Sequence, residues 1–257
     1  MKEKAILWLG VLLACCTAVA AQDTLRLRVM TYNLRFGELA SLEELSGVIR
    51  EQRPDLVALQ EADRNTARDG VPHQHGRDFV TELGYRTGMM PLYGKAIDYA
   101  GGLYGVGVLT SLPYVGVRKV LLPKGEPSEE QRVLLMAVLE AGAGDTIVFA
   151  STHFDHLRDG TQRMQARTVV GEAARSRWPL LVGGDLNAAA GAEAIRIMSQ
   201  GRMLCDTVPT FPARDPDVRL DYLFGFPAAR WELESTRVID SQRSDHRPVL
   251  SVVRLVR

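Results

Sequence analysis

The chain has 257 residues, 46% hydrophobic and 24% charged, with 31 basic and 31 acidic side chains and a formal net charge of zero. That is enough for one large α/β domain with a sizeable core, or for two small ones. The balance excludes a chain-wide basic excess of the kind that grips long nucleic acid.

Residues 1–21 read as a secretory signal peptide. A charged start, Met1-Lys2-Glu3-Lys4, precedes an apolar run from Ala5 to Ala14, and Ala18-Val19-Ala20 has the small-x-small form of a cleavage site. The run is too short and wrongly flanked for a membrane span. A second reading takes Leu12-Leu13-Ala14-Cys15 as a lipoprotein box, with lipidated Cys15 tethering the protein to a membrane face. Either way export is expected, to the periplasm or the extracellular space. Residues 22–257 then form one domain whose single cysteine is Cys205. A disulfide framework or a cysteine zinc site is therefore excluded, and Cys205 reads as a small buried hydrophobe.

In chain order, a first strand is expected from Leu25 to Asn33, alternating and then turning apolar. Ser41 with Glu44 is a capping box, and Leu42, Leu45, Val48 and Ile49 give a helical stripe that Pro54 stops. Asp55 to Glu61 is a buried strand. Residues 62–78 read as a polar surface loop, and Phe79 to Leu83 as the end of a short helix. A Gly- and Tyr-rich passage from Met89 leads to a strand over Val106 to Leu109. Pro123 to Ser128 is a hairpin-like loop. Arg132 to Ala141 and Asp145 to His153 are strands joined by Gly142-Ala143-Gly144. A helix follows from about Gly160 to Arg177, then a strand from Leu180 and a short helix from Ala192 to Gln200. The last strands are Leu220 to Phe224, Trp231 to Ile239 and Pro248 to Val256, with a polar loop from Asp240 to His246. Many strands with few helices between them argue one α/β domain with two packed sheets.

Five strand ends carry an Asp, Glu, Asn or His: Asn33, Glu61, His153 with Asp155, Asp185 with Asn187, and Asp245 with His246. Each taken singly is an ordinary loop residue; the repetition is the signal. In Leu180-Leu-Val-Gly-Gly-Asp185-Leu-Asn187, extended backbone turns Asp185 and Asn187 to one side. Gly183 and Gly184 admit a close neighbour or ligand, and read as a floor under a phosphate. Oxygen donors without thiolates select a hard ion, Mg²⁺ or Mn²⁺, suited to metal-assisted attack of water on a phosphate ester. Asp221 is a charge inside an apolar strand and needs a partner. His246 is the candidate, held in one tautomer and kept cationic; an ion pair with Arg219 is the alternative.

Six motifs stand in order: Thr31-Tyr-Asn33, Leu59-Gln-Glu61, Ser151-Thr-His153, Gly184-Asp-Leu-Asn187, Leu220-Asp-Tyr-Leu223 and Ser244-Asp-His246-Arg-Pro-Val249. Together they resemble the endonuclease/exonuclease/phosphatase superfamily of DNase I-like nucleases, abasic-site endonucleases, inositol polyphosphate phosphatases, neutral sphingomyelinases and deadenylases. The resemblance runs from about Leu25 to Val256. It implies a four-layer α/β sandwich, two central mainly antiparallel sheets flanked by helices. It makes Glu61 the principal metal ligand, with Asn33 beside it, and Asp245 a further metal-site or water-network carboxylate. Asp185 resembles the general base, Asn187 the group that steadies the water and phosphate, His153 a phosphate-stabilising histidine, and His246, held by Asp221, a phosphate-stabilising or acid histidine.

A narrower set, Leu59-Gln-Glu-Ala-Asp-Arg64 with Arg68-Asp-Gly70, Gly94 to Gly105 and Thr152-His-Phe-Asp-His156, is similar to bacterial hydrolases that in turn resemble the C-terminal domain of GPI-anchor lipid-remodelling proteins. His73-Gln-His75 departs from the Asp-Gln expected there, and Thr-Tyr-Asn-Leu-Arg35 replaces a His-containing first motif. Arg64, Lys95, Tyr99 and Tyr104 become candidates for a substrate rim. The expectation is a monomeric, exported phosphodiesterase or phosphatase acting on a small or lipid-linked phosphoester, with no obligate protein partner. An extracellular nuclease and an inactive binding relative are the alternatives.

Overall fold

A computed structural model describes residues 25–142 and 144–256. The expected signal peptide of residues 1–21, and the alternative of a lipidated Cys15, fall outside the described residues. In chain order the elements are β1 (Arg26–Asn33), α1 (Leu42–Gln52), β2 (Leu56–Arg64), α2 (Phe79–Thr87), β3 (Met90–Tyr99), β4 (Gly102–Thr110), β5 (Tyr114–Leu121), β6 (Val133–Glu140), β7 (Thr146–His153), α3 (Asp159–Arg175), β8 (Leu180–Asp185), α4 (Glu193–Met198), β9 (Arg202–Met203), β10 (Asp221–Phe226), β11 (Trp231–Val238) and β12 (Val249–Leu255).

The strands form two six-stranded sheets, in the orders β11-β12-β1-β2-β4-β3 and β5-β6-β7-β8-β10-β9. Each is mixed: the central pair runs parallel, β1 with β2 and β7 with β8, and the other pairs are antiparallel. The parallel central strands are the most apolar and are covered on both faces. One large cluster fills the space between the sheets with Leu27, Ala58, Val108, Phe149, Leu181 and Leu223 and extends to α3 and α4 through Ala166, Val169, Ile195 and Met198. A second cluster packs α1 and α2 through Leu45, Ile49, Phe79 and Leu83 onto Met30, Tyr32 and Leu59. This is the four-layer α/β sandwich expected.

Local chemistry sets the helix ends. Ser41 and Glu44 form the reciprocal capping box, and Arg53 closes α1 in a left-handed turn before Pro54. Several expected boundaries are corrected. Phe79 begins α2 rather than ending a helix, because Asp78 caps it through the Thr81 amide. The strand after Pro54 runs past Glu61 to Arg64, and the Gly/Tyr-rich passage is a β3–β4 hairpin. Tyr114–Leu121 is an unexpected edge strand; six of its eight residues are exposed, so its pattern lacks the half-buried alternation that announces a strand. Asp245 and His246 lie in the loop entering β12, not at the end of a strand. Cys205 is buried and unpaired, as expected.

Candidate active site

The parallel pairs put the C-terminal ends of β1, β2, β7 and β8 at one end of the sandwich, and the start of β10 joins them because Asp221 pairs with Asp185 in antiparallel register. Asn33, Glu61, His153, Asp185, Asn187, Asp221 and His246 are all brought together there.

Asp185 is the hub. Its Oδ2 accepts from Asn33 Nδ2 across the two sheets at 3.0 Å, and lies 3.5 Å from His153 Nε2 and 3.6 Å from His246 Nε2. Its Oδ1 accepts from the Asn187 amide at 2.8 Å. Burial, reinforced by the charge of Asp221, raises its carboxyl to about 7 against the pull of His246, the Asn187 amide and Asn33. Glu61 and Asn187 both hold left-handed backbone, at φ 53° and 47°. Such strain in non-glycine residues persists where the surrounding structure over-determines it. At Glu61 it coincides with the irregularity in β2–β4 pairing between Leu59 and Ala62.

Asp221 and His246 form the expected pair. His246 Nδ1 lies 2.9 Å from Asp221 Oδ2, which also accepts from Thr210 Oγ1 at 2.6 Å. Burial works to lower the imidazole, but the charges of Asp221 and Asp185 and the Asp221 hydrogen bond lift it to about 10. Phe211 packs on the ring with centroids 4.8 Å apart. Arg219 takes no part in this pair: it donates to the Asp221 carbonyl and pairs with Asp206 at 2.9 Å. His153, by contrast, is held well below the ordinary histidine range, by burial and by the charges of Arg132, His246 and His156.

Two groupings bear on a cation. Ligand atoms of Asp185, Asp221 and His246 lie within 4.8 Å of one another. A cation there would face the positive charge that Asp221 and Asp185 hold on the His246 ring, so these three are better suited to proton handling. Glu61 fits a hard ion better. Burial raises its carboxyl and the charge of Asp245 adds to this, Asn33 Nδ2 donates to it at 3.1 Å, and among the described residues no cation forms an ion pair with it. The charges of His246 and Arg132 pull the carboxyl back from a distance, but the side chain that bonds it is an amide, which leaves the carboxylate open to a hard ion. Asp245 is engaged instead by Arg35, whose backbone amide donates to Asn33 Oδ1 at 3.0 Å.

Arg64 pairs with Asp78 at 3.0 Å and Lys95 with Asp98 at 2.7 Å, so each is locally neutralised. Tyr99 and Tyr104 do stand together, 6.3 Å between centroids, but the residue organising them is Arg68. Its guanidinium grips buried Asp63 through two bonds of 2.8 and 2.9 Å and lies over the rings of Phe36 and Tyr99, at 4.0 and 4.2 Å. His73 and Gln74 bond the Gly37 carbonyl and so brace the Phe36 loop.

The two glycines before Asp185 do admit close neighbours, and their reading as a phosphate floor is corrected. A Cβ on Gly183 would lie 2.9 Å from Ala58 Cβ and 3.0 Å from Leu223 Cδ2, and one on Gly184 would lie 2.3 Å from the Thr152 carbonyl. The close neighbours are the protein's own strands, not a ligand. Arg35 and Arg68 stand within the quoted motifs without a role assigned to them, and Thr210 and Arg132 are site residues that motif reading passed over. For Arg132 a signal existed: the two strands joined by Gly142-Ala143-Gly144 pair Leu134 with Thr152, which carries Arg132 to the level of His153 and Phe154.

The model of the Endonuclease/Exonuclease/phosphatase family matches residues 30–246. No curated protein sequence matches. Among solved structures, the chain resembles the endonuclease/exonuclease/phosphatase from Beutenbergia cavernae (22% identity, 90% of this chain and 72% of the other, TM-score 0.73). It also resembles a mannosyl-6-phosphatase of Bacteroides thetaiotaomicron (17%, 88% and 99%, 0.70). A third likeness is to the human Nocturnin catalytic domain with bound sulfate anion (16%, 90% and 95%, 0.66). At these identities the likeness speaks to the fold.

Proposed function

The chain belongs to the endonuclease/exonuclease/phosphatase family, whose members hydrolyse phosphoesters, and from that premise we propose an exported, monomeric, Mg²⁺- or Mn²⁺-dependent phosphodiesterase or phosphatase acting on a small or lipid-linked phosphoester. The observation that carries this reading is the arrangement around Asp185, a raised carboxyl facing a cationic His246 that Asp221 holds at 2.9 Å.

Asp185, with its carboxyl near neutrality, takes a proton from the attacking water. Asn187, fixed by its own amide on Asp185 Oδ1, steadies the water and the phosphate. His246 presents a positive N–H to a phosphoryl oxygen or to the leaving oxygen, and Asp221 keeps that ring oriented and charged. His153 donates a hydrogen bond as a neutral ring. Glu61, with Asn33 beside it, would hold the metal ion, which when bound supplies positive charge to the phosphoryl oxygens, and Asp245, paired with Arg35, stands as the further carboxylate of the metal site or its water network. The wall of Phe36, Arg68, Tyr99 and Tyr104 faces the group carried by the phosphate. Zero net charge and the similarity to a mannosyl-6-phosphatase support a small substrate over a polymer.

The test is hydrolysis of bis-p-nitrophenyl phosphate and sugar phosphates by the purified protein, with Asp185→Ala as control. EDTA should abolish turnover and Mg²⁺ or Mn²⁺ restore it. Turnover that survives thorough chelation, or that Asp185→Ala retains, refutes the reading.

A further inference from the structure

Arg132 immediately precedes β6 and is 4% exposed. A buried guanidinium normally meets a carboxylate in a two-bond grip. This one does not. Nη1 lies 3.0 Å from His153 Nδ1 and 3.0 Å from Glu130 Oε1, Nη2 lies 3.3 Å from His156 Nδ1, and Nε is buried with no partner. A guanidinium only donates and keeps its protons. His153 Nδ1 must therefore accept, which leaves the one ring proton of neutral imidazole on Nε2.

On that other side stand Asn187 Nδ2 at 3.0 Å and Asp185 Oδ2 at 3.5 Å. The Asn187 amide cannot turn its oxygen to the ring, because Nδ2 also donates to the Phe154 carbonyl at 3.1 Å and a flip would set two oxygens together. His153 Nε2–H and Asn187 Nδ2–H are thus two donors 3.0 Å apart, an unfavourable contact until an acceptor enters between them. We propose, on the phosphoester reading of the site, that Arg132 is a positioning residue: it fixes His153 as the neutral Nε2–H tautomer, so that His153 and Asn187 form a donor pair for one non-bridging phosphoryl oxygen.

The groups facing His153 agree with this. Arg132, His156 and His246 approach from three segments, Asp185 is the one carboxylate within ion-pair distance of the ring nitrogens among the described residues, and burial with the three positive groups holds the ring's pKa well below the ordinary value. The two histidines of the site are therefore set to opposite states by what meets Nδ1. A carboxylate meets His246 and makes it a cation; a guanidinium meets His153 and makes it a neutral donor.

The test uses the full chain with ¹⁵N-labelled histidine and long-range ¹H–¹⁵N correlation spectra, His153 being assigned by its loss in His153→Gln. Wild type should show the Nε2–H pattern alone from about pH 6 to 8. Arg132→Lys, which also only donates, should keep it. Arg132→Met should mix the tautomers or protonate the ring within that range, and lower kcat/KM on bis-p-nitrophenyl phosphate by about 10- to 100-fold. Should Arg132→Met not fold, Arg132→Met with Glu130→Gln removes the stranded carboxylate and carries the same expectation. Inorganic phosphate added to wild type should shift the His153 Nε2–H and an Asn187 side-chain amide signal. A wild-type Nδ1–H pattern, an unchanged pattern in Arg132→Met, or no response to phosphate overturns the proposal. Absence of phosphoester turnover beside an intact Nε2–H pattern in wild type would instead count against the functional reading alone.

Discussion

Replacing Asp221 by Asn removes one charge and almost no volume. The carboxylate is 1% exposed and holds both Thr210 and the His246 ring. His246 rises from 6.5 to about 10 in the folded protein although burial opposes it, and the Asp221 charge is the largest of the raising causes. A rise of that size corresponds to roughly 5 kcal/mol favouring the imidazolium, shared among Asp221, Asp185 and the weaker contributors. In Asp221→Asn the ring pKa should fall by about two units or more. His246 would then be at least half neutral at about pH 8 and its ring less firmly oriented, and kcat should drop by about 10²- to 10⁴-fold. The stability effect has a definite sign. A folded pKa above the unfolded one contributes stability that is full below 6.5 and is lost as pH rises through about 10. The deficit of the variant, measured by urea denaturation, should therefore be larger near pH 6 than near pH 10. An NMR titration of His246 gives the pKa directly. A midpoint unchanged in the variant, or a kcat within about a factor of two of wild type, refutes the account of the pair.

Glu61→Gln should leave the fold intact by circular dichroism and weaken Mn²⁺ binding about 10- to 100-fold by calorimetry; unaltered affinity would remove Glu61 from the metal site. Wild-type kcat/KM should rise with pH through about 7 as Asp185 ionises and fall again towards about 10 as His246 loses its proton; because the two groups face each other at 3.6 Å, the limbs belong to the pair. A rate rising on acidification through this range would reverse the assigned roles. Gly184→Ala places a methyl 2.3 Å from the Thr152 carbonyl and should cost about 1–3 kcal/mol by chemical denaturation.

The local features were legible in the sequence because their causes are local. Ser41 and Glu44 form a capping box wherever a helix follows, and a charge inside the apolar run at Asp221 demanded a partner whatever the topology. The superfamily motifs placed the strand ends. What needed three dimensions was not legible. Gly183 looks like room for a ligand until Ala58 and Leu223 are seen against it. Tyr114–Leu121 is exposed on both faces, so no periodicity marks it. Arg68 belongs to a quoted motif within a polar stretch, but only the hairpin and the Phe36 turn reveal that it is enclosed by rings. Arg132 precedes its strand rather than ending it; strand-end reading overlooks that position, although the hairpin register contained it.

The hydrogen bond from Asn33 to Asp185 joins one sheet to the other at 3.0 Å. Glu61 comes from the first sheet, His153 and Asp221 from the second, and His246 is carried by the loop entering a strand of the first. Neither half of the sandwich owns a complete set of working groups. Turnover is therefore a gauge of how the halves are docked: a molecule that keeps every strand but lets the seam slip by an ångström is already silent. On gradual heating or denaturant titration, activity should vanish before far-ultraviolet ellipticity does, and homologous halves could be exchanged between relatives only with their mating faces matched.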